Sequence, residues 1–274
     1  MGTLFLVATP IGNLEDITAR ALRVLREAAL IAAEDTRHTR RLLTHFDIHT
    51  PVTSYFEHNK LQKLEAVVEA LAQGDVALVS DAGTPALSDP GYELVRAALA
   101  AGFPVTAIPG PSALLTALVA SGLPTDAFLY LGFLPRKDAE RRRLLESVAG
   151  EPRTLVAYEA PHRLLDTLAE VRAVLGNRPL AVARELTKLH EEIYRGAAAD
   201  AHAHFAAKEI LGEITLVIAG AAALPVERWE AARVQAELAR LLSAGLKRKD
   251  AARRVAEPAG WSAREVYNLP AADH

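Results

Sequence analysis

Six short segments hold the side chains best placed to do chemistry, and each follows a run of apolar residues. They are Thr9-Pro10-Ile11-Gly12-Asn13-Leu14, Glu34-Asp35-Thr36-Arg37, the stretch DAGTPALSDPG from Asp81 to Gly91, Pro109-Gly110-Pro111-Ser112, Glu159-Ala160-Pro161-His162-Arg163 and Glu185-Leu186-Thr187-Lys188. Taken singly, each reads as a turn plus a helix cap, because Gly, Pro, Asp and Ser are the ordinary turn residues. Taken together they say more. Four of them lie in the first 112 residues, and ligands of open α/β sheets bind beyond the carboxyl ends of the strands. Four such loops in one half point to a single pocket. The phosphate-cradling patterns G-x-G-x-x-G and G-x-x-x-x-G-K-[ST] are both absent, so a nucleotide-like ligand has to be held in another way.

The elements that would position these loops are legible in the hydrophobic pattern. Apolar runs at Leu4–Ala8, Leu30–Ala33, Val76–Ser80, Val105–Ile108, Phe128–Phe133, Thr154–Tyr158, Leu180–Ala183 and Ile214–Ala219 are continuous rather than alternating, as expected of strands covered on both faces. Between them, Lys60–Gln73 places Leu61, Leu64, Val68 and Leu71 on one helical stripe, and Pro161–Leu175 opens with Pro and stops at Gly176. Strands alternating with helices predict an α/β fold with a mainly parallel sheet. Ser121-Gly122-Leu123-Pro124 divides it into α/β halves of residues 1–121 and 122–224. From Pro225 onward only helical patterns remain, at Val226–Leu242, Arg248–Glu257 and Ser262–Asn268, with turns at Gly245 and Pro258-Ala259-Gly260. This predicts a small C-terminal helical domain of residues 225–274, carrying Lys247, Arg248, Lys249, Arg253, Arg254 and Arg264.

Composition narrows the function classes. With 274 residues, half of them hydrophobic, the chain is long enough for about two domains and a large core. Lys and Arg number 31 against 34 Asp and Glu, so no strong general affinity for nucleic acid is expected. The absence of cysteine excludes disulfides, thiolate catalysis and Cys-ligated metal sites. No apolar run reaches the roughly 18 residues of a membrane span. The N-terminus runs straight into the first strand without a charged leader, so the reading is a cytoplasmic protein.

VATPIGNLEDIT, AEDTR, SDAGTPALSDPG, PGPSALLTAL, GFLPRK, YEAPHR and RELTKLHEE, in that order, resemble the tetrapyrrole methylase superfamily. AEDTR and YEAPHR are similar to its branch of bacterial small-subunit ribosomal RNA 2′-O-ribose methyltransferases. The resemblance runs from about residue 3 to residue 220. It implies two α/β domains of the class III type with S-adenosylmethionine (SAM) in the cleft between them, usually in a homodimer. It further implies transfer of a methyl group to the 2′-hydroxyl of a cytidine in the decoding region of 16S rRNA. Carried over residue by residue, the SAM site would comprise Pro10, Asp81, Gly83, Thr84, Ser112 and Ala113, closed by Tyr158 and by Gly212, Glu213 and Ile214. The chemistry agrees. A carboxylate suits a sulfonium, helix-terminal N–H groups suit the carboxylate of SAM, and Gly83 permits close backbone approach.

A ribose hydroxyl is weakly acidic, so a base or a neighbouring cation would assist its reaction. The candidates are Glu34, Asp35, His38, His58, Glu159 and Lys188, with Asp35 as proton acceptor and Arg37 on phosphate placed first. An equal reading makes Asp35 the cap of a helix beginning at Thr36. His45/His49 lack a third ligand at convincing spacing, His202/His204 lie in an alanine-rich, surface-like stretch, and no metal is expected. Arg136-Lys137, Arg141-Arg142-Arg143 and the tail cluster could track RNA phosphates, or be solvated faces. Two other functions stay open: a small-molecule tetrapyrrole methylase, and a non-catalytic RNA-binding assembly factor.

Overall fold

The computed structural model describes residues 2–55, 60–222 and 228–270. His58, Pro225 and Val226, singled out above, lie outside the described residues. The chain divides into two compact units, Met1–Ala221 and Ala222–His274. No helix among the described residues is long and apolar enough to cross a membrane.

The larger unit contains two five-stranded sheets. The first is wholly parallel and is built from β1 (Leu4–Val7), β2 (Leu30–Ala33), β3 (Val52–Ser54), β4 (Val76–Val79) and β5 (Val105–Ile108), in the order β3-β2-β4-β1-β5. Its connecting helices are α1 (Ala19–Glu27), α2 (Thr36–His45), α3 (Lys60–Gln73) and α4 (Tyr92–Ala100), and α5 (Ala113–Ala120) follows β5. The unbroken apolar runs are explained by two cores, one on each face. Along β4, Ala77 and Val79 pack with Val24, Leu25 and Leu43, while Val76 and Leu78 pack with Leu71 and Leu94. A strand's period of two sends neighbouring residues to opposite faces, so a strand covered twice has no polar positions.

The second sheet is formed by β6 (Phe128–Phe133), β7 (Thr154–Glu159), β8 (Pro179–Arg184), β9 (Glu192–Ala197) and β10 (Ile214–Ile218), in the order β6-β7-β10-β8-β9. Here the expected parallel arrangement gives way to a mixed one, because only β6 and β7 run parallel. The hydrophobic pattern missed two strands, β3 and β9; both are edge strands that bury none of their residues, and β9 pairs antiparallel with β8 after a short connection. One face is covered by α6 (Asp138–Ser147), α7 (Leu164–Leu175) and α8 (Ala198–Ala206). The other is covered by α5, whose Leu114, Ala117 and Leu118 share a cluster with Val156, Ala181 and Val217. The last helix of the first half therefore packs on the sheet of the second.

The smaller unit has three helices, α9 (Ala231–Ser243), α10 (Arg248–Ala259) and α11 (Ala263–Asn268), around Val234, Leu238, Val255, Ala256 and Val266. Ser262 and Glu265 form a reciprocal capping box at the start of α11. The turn expected at Pro258 begins later: α10 continues through Pro258 and closes at Gly260.

Candidate active site

The loops at the carboxyl ends of β1, β2, β4 and β5 are tied to one another by hydrogen bonds. Thr9 and Gly83 exchange both backbone N–H to carbonyl bonds at 2.9 Å, joining the first loop to the third. The Thr84 hydroxyl donates to the Pro111 carbonyl at 3.2 Å, joining the third to the fourth. The Asp35 N–H donates to the Asp81 carboxylate at 2.9 Å, and the Asp81 N–H donates to Glu34 at 3.3 Å. Gly83 has φ +80°, a conformation that a side chain disfavours. At Gly12 the constraint is space, since a Cβ there would lie 2.3 Å from Cγ of Lys188. The first loop thus lies directly against the loop that follows β8.

Between the two sheets lies a cavity of about 410 Å³, within the range of roughly 300–1,000 Å³ usual for small-molecule sites. Asp81, Gly83, Thr84, Ser112, Ala113, Tyr158, Gly212, Glu213 and Ile214 all line it, as does Glu34. Pro10 does not. It lines a neighbouring cavity of about 210 Å³ together with His38, Arg41 and Asp81. Asp35 and Arg37 line neither.

The larger cavity is electrostatically one-sided, for among the described residues no Lys, Arg or His lines it. Glu159 is paired with Arg163 at 2.5 Å and Glu213 with Lys188 at 3.1 Å. Glu34, Asp81 and Asp89 have no cationic partner among the described residues. Burial raises Asp89 to about 7, with the Glu34 and Asp81 charges adding to the shift and the Ser80 hydroxyl opposing it. Burial also raises Glu34, partly offset by the Asp81 N–H and reinforced by the charges of Asp81 and Asp35. Keeping like charges together in a half-buried wall is unfavourable without a cation to meet them.

The remaining walls are an aromatic cluster and a helix start. Tyr158 packs edge-on to Tyr130 at 5.5 Å and against Phe133 at 5.3 Å, and burial holds its phenol well above the ordinary range. Ser88 and Tyr130 share a hydrogen bond of 2.6 Å. Ser112 occupies the position before α5, as the sequence indicates, but its hydroxyl makes no cap bond. The first N–H groups of α5 are therefore left for other partners.

Several other candidates have structural duties. Asp35 caps α2, accepting from the Arg37 N–H at 2.7 Å and its guanidinium at 2.9 Å. These bonds hold its carboxyl well below the usual range, and Arg37 is 86% exposed. Glu159 is buried and accepts from Thr167, the Ala160 N–H and Arg163. Lys188 bridges Glu185 and Glu213, fixing the loop against Gly12. Of the basic run after β6, Arg141 is only 1% exposed and pairs with Glu170 and Asp138, while Lys137 and Arg142 pair with Glu140 and Glu146. That run is largely consumed within its own domain and offers no continuous track. His204 stacks on Tyr194 and bonds Glu192. Among the described residues, no group of three or more His, Asp or Glu side chains is arranged to hold a metal ion.

The sequence reading missed Asp89, Ser88, Tyr130 and Phe133. Ser88 and Asp89 lie in the loop from Asp81 to Gly91 singled out above, where such residues are ordinary turn formers and no pattern marks them as wall residues. Two non-glycine residues there, Ala86 and Ser88, hold φ of +66° and +64°, and such conformations persist where the surrounding structure imposes them.

Comparison with known proteins decides the family. The tetrapyrrole (corrin/porphyrin) methylases match the chain over residues 3–202. The chain belongs to this family. Within it, the chain groups with the ribosomal RNA small subunit methyltransferases I. It is 48% identical to that of Halalkalibacterium halodurans over 273 residues, covering 98% of this chain and 94% of that one. It is 47% identical to that of Escherichia coli O157:H7, covering 97% and 93%. The match to the Thermotoga maritima protein, 49% identical, covers 80% of this chain and 99% of the relative. Among solved structures, the methyltransferase CobJ superimposes with a TM-score of 0.62 at 20% identity, covering 81% of this chain and 95% of that one. Diphthine synthase does so with a TM-score of 0.62 at 14% identity, covering 80% and 90%. These likenesses identify the two-sheet methylase fold. As a tetrapyrrole methylase the chain is a methyltransferase, and the family implies SAM as the donor.

Proposed function

We propose that this methyltransferase transfers a methyl group from SAM to the 2′-oxygen of a cytidine ribose in 16S rRNA of the small ribosomal subunit. The names of relatives at 47–49% identity over almost the whole chain support the RNA substrate, and the motif resemblance supports the ribose oxygen and the cytidine. The observation that carries the donor site is the cavity wall of Glu34, Asp81 and Asp89, acidic and without a cationic partner among the described residues. That wall fits the sulfonium and ammonium of SAM. The open first turn of α5 fits its carboxylate, and Tyr158 and Ala113 offer apolar surface to adenine. When bound, SAM supplies an electrophilic methyl group.

The chain's own residues must do the rest. Most of the rate comes from holding the acceptor oxygen in line with the methyl at about 3 Å. As the O–C bond forms and the S–C bond breaks, the hydroxyl proton must leave. A base is most effective with a pKa close to the working pH. Asp89, raised by burial to about 7 before a cationic donor lowers it, is the carboxyl of the wall that comes nearest to that condition. Asp35, held far lower by Arg37, is a poor proton acceptor.

The test is methyl transfer from labelled SAM to small subunits lacking the modification, with a porphyrin precursor as the competing acceptor. Labelled 2′-O-methylcytidine after nuclease digestion is the expected product. Label on the base, on the tetrapyrrole or on neither acceptor would overturn the proposal.

A further inference from the structure

The smaller cavity has a different electrostatic character from the donor cavity beside it. Its walls come from the loop after β1, from the end of β4 and from α2, and Asp81 is the residue it shares with the larger cavity. Pro10, Leu14 and Leu42 supply apolar surface, Arg41 supplies positive charge opposite Asp81, and His38 supplies ring nitrogens. At about 210 Å³ it is smaller than the usual small-molecule site and has the scale of one base or sugar–phosphate unit.

The charge on α2 is also unusual. Its sequence begins Thr36-Arg37-His38-Thr39-Arg40-Arg41, with no acidic residue in the first turn. Cations at a helix N-terminus oppose the macrodipole, which favours anions there. Asp35 offsets Arg37. Arg40 and Arg41 are exposed and have no ion-pair partner among the described residues. An arriving phosphate would meet both the cationic side chains and the positive end of the helix.

We infer that the cavity between the first loop and α2 seats one nucleotide of the RNA substrate, next to the reacting ribose, in a single-stranded segment. His38 and Arg41 meet its phosphate, and Pro10, Leu14 and Leu42 lie against its base or sugar. Pro10 then serves the acceptor rather than the donor. Unstacked bases of single-stranded loops are the usual targets of RNA-reading proteins, and apolar walls are what such bases pack on. The arrangement puts the cationic donor and the anionic chain on opposite sides of Asp81. This inference rests on the RNA reading proposed above.

The experiment compares wild type, Arg41→Ala, Arg41→Lys, His38→Ala and the control Arg172→Ala, whose exposed side chain on α7 lines neither cavity. SAM affinity is measured by calorimetry, and KM and kcat on unmodified small subunits over a range of salt. Arg41→Ala should raise KM about tenfold, leave SAM affinity within twofold, and lower the slope of log KM against log salt by about 0.7, the loss of one single-strand phosphate contact. Arg41→Lys should restore most of the KM, and His38→Ala should raise it less than Arg41→Ala. An unchanged KM and salt slope in Arg41→Ala, or equal changes in Arg172→Ala, would overturn the inference. So would a loss of SAM affinity in Arg41→Ala, which would return the cavity to the donor. Failure of the wild type itself to methylate small subunits would sink the RNA reading and this inference with it. A normal wild type with an indifferent Arg41 would sink this inference alone.

Discussion

Asp81 and Asp89 stand on one wall and are expected to do different work. Asp81 is anchored by the Asp35 N–H and takes part in both cavities, so it is placed to hold a cation. Asp81→Ala is expected to lose SAM binding in calorimetry, and wild-type affinity in that variant would remove Asp81 from the donor site. Asp89 is governed by protonation. Its carboxyl is raised to about 7 in the folded chain against about 4 in an unfolded one. Protonated Asp89 is therefore favoured by folding, and the stability it contributes is present below about pH 4 and lost as pH rises toward 7. Asp89→Asn should melt higher than wild type at pH 8, with the difference vanishing near pH 4. Its methyl transfer should lose the rise with pH expected of the wild type, which falls below pH 7 when the cationic donor is bound. An unchanged rate profile would exclude Asp89 as proton acceptor, while an unchanged melting difference would mean that the carboxyl is not raised. Asp81, Gly83, Ser112 and Tyr158 could be read from the sequence because each lies at or just beyond the end of an apolar run. Asp89 could not, because its place in the wall depends on the positive φ of Ala86 and Ser88.

At the level of elements, contacts distant in sequence decide what local patterns leave open. The basic run of α6 reads as a phosphate track until Glu170, 29 residues from Arg141, is seen to bury that guanidinium. Four strands of the first sheet were legible because they form continuous apolar runs, whereas β3 and β9 were not, because each lies at an edge and is sustained by pairing with a single neighbour, β2 or β8. The Thr9–Gly83 bridge and the fit of Gly12 against Lys188 have no sequence pattern beyond the glycines themselves. Gly12→Val would drive a branched side chain into the Thr187–Lys188 loop. The expected cost is about 1–3 kcal/mol, the usual range for overpacking, read as a lower denaturation midpoint, together with weaker SAM binding as the loops separate. A variant as stable as wild type, with equal SAM affinity, would mean that the two loops are not held together by this contact.

Over the whole chain, charge is divided unequally between the two units. Residues 222–274 hold nine Lys and Arg against seven Asp and Glu, while the remainder holds 22 against 27. The near-neutral total thus conceals a helical unit of net positive charge. Within that unit Lys247, Lys249, Arg253, Arg254 and Arg264 are exposed and free of ion pairs among the described residues, while Arg228 and Arg240 are engaged by Glu265 and Glu237. The Thermotoga maritima relative is matched over 99% of its own length by 80% of this chain, a share close to that of residues 1–221. We propose that the helical unit adds affinity for the RNA of the ribosomal subunit. Because all the described residues that line the larger cavity, the proposed donor site, belong to Met1–Ala221, deletion of residues 222–274 should leave SAM affinity within twofold while raising KM for the small subunit. The excess over the truncated form should shrink as salt is raised, because phosphate contacts weaken with released counterions. Equal KM for the full and truncated chains at low salt would show that the cations of this unit do not reach RNA.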